Sequence, residues 1–121
     1  MQTHRDLIVW RKTIDLVEEI YRATRGWPRE EIYGLISQVR RAVVSIPANI
    51  AEGQGRGSQR DFLRLLAIAN GSLIESETHL FIARRLGYLE EPPLLLLLQQ
   101  AAEVSRLLQG LIRSLQAQIE K

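Results

Sequence analysis

At 121 residues the chain has single-domain length and can bury a real core, and with 45% hydrophobic and 25% charged residues it is too apolar to stay disordered. The absence of cysteine excludes disulfides and thiolate metal centres, and with only His4 and His79 a histidine-rich metal site is not expected. The net charge of +2 is small for a dedicated nucleic-acid binder, yet fourteen of the sixteen basic residues are arginine; arginine grips phosphate and carboxylate through a planar fork that lysine lacks, although a GC-rich genome accounts for the same bias.

Taken in chain order, residues 7 to 25 place Leu7, Trp10, Ile14, Val17 and Tyr21 at the three-four spacing of a helix face, with Asp6 as its N-cap. Gly26 and Pro28 end that helix. From Glu30, the residues Ile32, Leu35, Ile36, Val39, Val43, Ile46 and Ile50 keep helical phase through Pro47, which predicts one kinked helix, the alternative being two helices divided near Ser45. The stretch Gly53-Gln54-Gly55-Arg56-Gly57 reads as a loop, and Ser58 with Asp61 as a capping box opening a third helix. That helix buries Phe62, Leu65, Leu66, Ala69, Leu73, Leu80 and Ala83, has a small and polar middle, and stops at Gly87. Pro92 and Pro93 open a fourth helix with Leu97, Ala101, Val104, Leu108, Leu111 and Leu115 at heptad spacing. The expected architecture is all-α: one domain over residues 1–121, an antiparallel up-down four-helix bundle with a kinked second helix.

Two of these helices carry more apolar residues than one stripe needs. Helix four adds Leu94, Leu95, Leu96, Leu98, Leu107, Ile112 and Ile119, and helix one adds Ile8, Val9, Leu16 and Ile20. A second apolar face points to a subunit interface and so to a homo-oligomer. No apolar run is long enough to span a bilayer, the longest being Leu94 to Leu98, and the polar start at Met1 to Asp6 does not read as a signal core; a cytoplasmic protein without membrane contact is expected.

Catalytic teams are missing from the pattern. Bundles that hold two metal ions use Glu-x-x-His pairs, whereas Glu75 and His79 are four apart and His4 lies outside the helices; no metal or cofactor is expected, and His79 reads as a surface or half-buried residue. The glycine loop lacks a preceding strand and a following Gly-Lys-Ser or Gly-Lys-Thr. No serine has a histidine and carboxylate arranged as a triad needs, and Glu75 and Glu77, two apart, cannot share a helix face. The chain is expected not to be an enzyme. Arg56, Arg60 and Arg64 lie close to a helix N-terminus, where the macrodipole disfavours positive charge; a phosphate backbone, Asp61, another subunit's glutamates or solvent could compensate. Of Arg40 and Arg41, one must turn inward or sideways and should find a carboxylate, with Glu75 and Glu52 the nearest candidates for a structural polar network.

The stretch from Gln38 to Gly53, QVRRAVVSIPANIAEG, followed by Gly55-Arg56 and by Gly71-Ser72-Leu73-Ile74-Glu75-Ser76-Glu77, closely resembles the bacterial four-helix-bundle proteins related to those encoded in intervening sequences of 23S ribosomal RNA genes. Asp6 to Trp10, Tyr33-Gly34-Leu35 and Leu86-Gly87-Tyr88-Leu89 resemble that family too. The resemblance implies a cytoplasmic bundle assembling as a ring-like pentamer, without established enzymatic activity. A relative, the accessory variability protein of diversity-generating retroelements, is a basic pentamer that binds a reverse transcriptase and nucleic acid. By resemblance, Gln38, Arg41, Asn49, Glu52, Gly53, Arg56 and Glu75 match recurring polar and glycine positions, expected to fix helix packing and loop geometry.

The functional expectation is a non-enzymatic oligomeric adaptor that binds structured RNA, an RNA-DNA hybrid or an RNA-protein complex through an arginine-lined surface at Arg56, Arg60 and Arg64. The rival is a protein-protein interaction scaffold, with a partner protein and no nucleic-acid role.

Overall fold

The computed structural model describes Thr3, His4 and residues 7–120. Four helices follow in order, α1 (Ile8–Thr24), α2 (Leu35–Gly55), α3 (Gln59–Arg85) and α4 (Glu91–Glu120), with a single 3-10 turn, Arg29–Glu31, between the first two. Each helix packs on its sequence neighbours and α4 closes on α1, with no close backbone approach across either diagonal among the described residues. The result is an antiparallel up-down four-helix bundle. Its centre is filled by leucine, isoleucine and valine from all four helices, each contributing roughly 1.5–3 kcal/mol when fully buried.

The start of α1 is at Ile8, with Leu7 in the N-cap position; the expected cap, Asp6, lies outside the described residues. The side of α1 that faces the core differs from the expected one. Val9, Leu16 and Ile20 are buried with Thr13 and Thr24, whereas Ile14 is exposed and Leu7, Trp10, Val17 and Tyr21 are partly covered. Both stripes have helical spacing, and the threonines decide between them. The Thr13 hydroxyl donates to the Trp10 carbonyl at 2.6 Å and that of Thr24 to the Ile20 carbonyl at 2.9 Å, so each can enter the core with its polar atom satisfied.

One continuous helix, α2, runs through Pro47, which is buried. It begins later than expected, because Gly34 breaks the phase and leaves Ile32 exposed. A side chain from the preceding turn serves its first backbone donor: Glu31 Oε1 accepts from the Leu35 amide at 3.0 Å, while Glu31 Oε2 accepts from the Tyr88 hydroxyl at 2.9 Å. These bonds, the backbone one first, hold the Glu31 carboxyl below its ordinary range, and the bond to Glu31 pushes the Tyr88 hydroxyl up. The pair ties the α1–α2 connection to the α3–α4 connection.

At the other end α2 continues to Gly55, so residues 53 to 55 are helical rather than loop. Only Gly57, at φ 76°, needs the backbone freedom of glycine there. Ser58 caps α3 as expected, its hydroxyl accepting from the Asp61 amide at 3.3 Å. The expected core of α3 is buried, joined by Ser76 and His79; His79 is thus a buried residue and not a surface one. In α4, Leu94 joins the expected stripe and Leu111 is only partly covered. Trp27, between the two breakers Gly26 and Pro28, is also core, 5% exposed and packed against Tyr88 with ring centres 6.3 Å apart.

The helices α2 and α3 approach each other closely at Gly53. A Cβ there would lie 2.7 Å from Phe62 Cδ1 and 3.2 Å from Leu65 Cβ, whereas one at Gly71, in mid-α3, meets nothing within 4 Å. Alanine at both sites gains about 0.5–1 kcal/mol of helix propensity. At Gly53 the overlap costs about 1–3 kcal/mol. Gly53→Ala is expected to lower the thermal midpoint and Gly71→Ala to leave it level or raise it; a Gly53→Ala chain as stable as its parent would contradict the close approach.

Candidate nucleic-acid interface

Arg56, Arg60 and Arg64 are all exposed at the α2–α3 turn, but they are not equivalent. Arg56 is ion-paired with Glu52 one turn back on α2, and that hydrogen bond pushes its guanidinium further up, so its positive charge is locally balanced. Arg60 and Arg64, one turn apart on α3, carry no ion pair among the described residues. They occupy the first two turns of α3, where the dipole opposes them. An anion is better matched to them than to Arg56.

These two arginines begin a continuous outward face of α3. Continuing at three-four spacing, the face passes Ile68, Gly71, Ile74, Thr78, Phe81 and Ile82, all exposed, and reaches Arg85. Ile74 and Phe81 are 57% and 51% exposed. This stripe was not anticipated; the unused apolar residues were expected on α1 and α4. Of the residues expected to be unused there, Val9, Leu16, Ile20 and Leu94 are core, Leu98, Leu107 and Ile112 pack partly on it, and Ile8, Leu95 and Leu96 are exposed.

The residues expected to form a structural polar motif fall into two groups. Asn49 Nδ2 donates to the Ser45 carbonyl at 2.8 Å and to Ser45 Oγ at 2.9 Å, and Ser45 Oγ meets Ser72 Oγ of α3 at 2.9 Å. With Gly53, these fix the α2–α3 pairing. Gln38, Arg41 and Glu75 instead line a shallow depression of about 230 Å³ beside Ser45 and Ser72. The expected pairing of Arg40 or Arg41 with Glu75 or Glu52 does not form: Glu75 holds His79 Nε2 at 3.1 Å and Glu52 holds Arg56. Arg41 is exposed.

Arg40 turns sideways, and its partners are not carboxylates. Its Nε donates to Thr24 Oγ1 at 2.9 Å, its Nη2 to the Tyr21 carbonyl at 3.4 Å, and its guanidinium carbon lies 4.4 Å from the Tyr21 ring centre. It stands in a cleft of about 580 Å³ at the α1–α2 end, whose wall also includes Arg25, Arg29 and Arg41. This second cationic group was missed because its members are scattered from position 25 to 41. The available signal was the turn composition, which combines Arg25, Trp27, Arg29 and Tyr33.

The sequence pattern of the 23S rRNA-intervening sequence proteins matches residues 5–110. The chain belongs to this family. A solved structure from Bacteroides thetaiotaomicron, a protein of unknown function from the S23 ribosomal protein family, superposes with a TM-score of 0.80 at 24% identity, covering 88% of this chain and 96% of the other. At that identity the likeness establishes the shared bundle. No curated protein matches the sequence significantly. No helix among the described residues is long and apolar enough to cross a membrane, and no three metal-ligating side chains among them come together.

Since Arg41 is exposed and has no ion pair among the described residues, the Arg41→Met chain is expected to unfold within about 0.5 kcal/mol of its parent. A loss beyond about 1 kcal/mol in denaturant titration would reveal a network on which the fold relies.

Proposed function

We propose that this member of the 23S rRNA-intervening sequence protein family is a non-enzymatic, cytoplasmic, oligomeric adaptor that binds structured RNA or an RNA-protein complex. One observation carries the reading. Arg60 and Arg64 at one end of α2, and Arg25, Arg29, Arg40 and Arg41 at the other, have no carboxylate partner among the described residues. Cations left unmatched on a chain of small net charge suit a polyanion, and phosphate contacts made this way position a ligand without reading its sequence.

The oligomer is supported by the outward face of α3, where an apolar stripe is bounded by Arg60 and Arg64 at one end and Arg85 at the other. A second copy would cover the stripe and leave the arginines at its rim, with the pentameric ring implied by the resemblance as the expected stoichiometry. Light scattering on the eluting protein tests this: Phe81→Glu is expected to yield monomers, and a parent chain that already runs as a monomer would refute the assembly.

RNA binding is tested by titrating a folded RNA from low to physiological salt. The parent chain is expected to bind with a log affinity that falls linearly with log salt, and Arg60→Ala/Arg64→Ala should reduce that slope by about 2. An absence of binding at low salt would leave the same apolar stripe as the surface of a protein-protein scaffold.

A further inference from the structure

We infer that the cleft between the end of α1 and the start of α2 is a nucleotide-binding site, which takes a phosphate on its arginines and stacks the attached base on Tyr33. At about 580 Å³ the cleft lies inside the roughly 300–1,000 Å³ range of small-ligand pockets. Arg25, Arg29, Arg40 and Arg41 line it, and no carboxylate does. Of the two acidic side chains in the adjoining turn, Glu31 is committed to the Leu35 amide and the Tyr88 hydroxyl and Glu30 acts on Tyr88, and neither lines the cleft. By contrast, the similarly large depression between α1 and α4 sets Glu19 and Glu103 beside Arg106. Unscreened positive charge is therefore a property of this cleft and not of concave surface on this bundle generally.

Its cations are not merely solvated. Thr24 and the Tyr21 carbonyl hold Arg40 across the Tyr21 ring, which uses two of its five donors and leaves three for a ligand. In the same wall Trp27 is 5% exposed, and its indole Nε1 is buried without a partner.

A bare anion site would not need the remaining feature. Tyr33 also lines the cleft, and its ring is 97% exposed, the most exposed large hydrophobic side chain among the described residues. An aromatic face left in water beside a row of guanidiniums is the combination that unpaired nucleotides use, with base on ring and phosphate on cation. This inference takes its ligand's source, an unpaired nucleotide of a folded RNA, from the RNA reading above. The cleft's chemistry alone would equally admit a free nucleotide.

The test measures binding of uridine monophosphate, inorganic phosphate, a short single-stranded RNA and a blunt RNA duplex. It uses the full chain and the exposed-position variants Tyr33→Ala, Arg29→Ala and Arg60→Ala/Arg64→Ala, each checked for oligomeric state. Expected is a loss of single-strand affinity of at least about five-fold in Tyr33→Ala and in Arg29→Ala, with duplex binding unchanged in Tyr33→Ala and weakened in Arg60→Ala/Arg64→Ala. If uridine monophosphate binds in a Tyr33-dependent way and no RNA does, the cleft stands as a free-nucleotide site and the RNA reading falls. If both RNAs bind the Tyr33→Ala and Arg29→Ala chains as they bind the parent, the RNA reading survives and the cleft assignment is overturned. Phosphate binding as tight as the nucleotide, indifferent to Tyr33, also overturns it, as does loss of binding that accompanies dissociation of the oligomer.

Discussion

The close approach of α2 and α3 is the constraint on which the rest of the bundle depends. Gly53 lets the Phe62 ring lie against the α2 backbone, and two turns along, Ser45, Asn49 and Ser72 fill the remaining space with hydrogen bonds rather than methyl groups. A helix pair brought this near leaves no room beneath it for long side chains. Arg41, Glu52 and Glu75 are accordingly pushed to the surface, and α3 turns the opposite face, with Ile74 and Phe81, outward. The polar motif and the apolar stripe are thus two sides of one packing decision.

The same decision sorts the charge. Along the bundle flanks Glu18 and Glu19 neutralise Arg22 and Glu103 neutralises Lys12, while Arg11, Arg106 and Arg113 carry no ion pair among the described residues. The turns at both ends of α2 differ in grouping their unpaired arginines, Arg25, Arg29, Arg40 and Arg41 at one end and Arg60 and Arg64 at the other, where only Arg56 has a carboxylate, Glu52, among the described residues. Helix-dipole and solvation terms at such positions are each small, but several cations in one place raise the local potential enough to attract an anion. In the proposed adaptor, function belongs to the ends of the bundle and to the outward face of α3, while the four-helix core sets their spacing.

Much of this was legible from residue spacing. The helix count, the course of α2 through Pro47, the Ser58 cap and nearly the whole cores of α3 and α4 follow from periodicity and breakers. The face of α1 was not legible, because Thr13 and Thr24 look polar until their hydroxyls are seen to bond back to the preceding turn. Trp27 was hidden for a related reason: turn residues are counted as exposed, yet this one plugs the end of the bundle. Of the site, Arg60 and Arg64 were visible as a local pair. The cleft at Arg40 was not, since it depends on Thr24 and Tyr21 of another helix, and the missing Arg41–Glu75 pair depends on His79 being the closer partner.

In the proposed adaptor, RNA contacts the arginine groups at the two ends of α2 and not the outer face of α4. Photo-crosslinking of a bound folded RNA, with the modified peptides mapped by mass spectrometry, tests it directly. Cross-links should fall in the segments 25–41 and 56–64, and be rare in the outer face of α4 around Gln99 and Arg106. Cross-links concentrated on α4, with both end segments clean, would contradict the account.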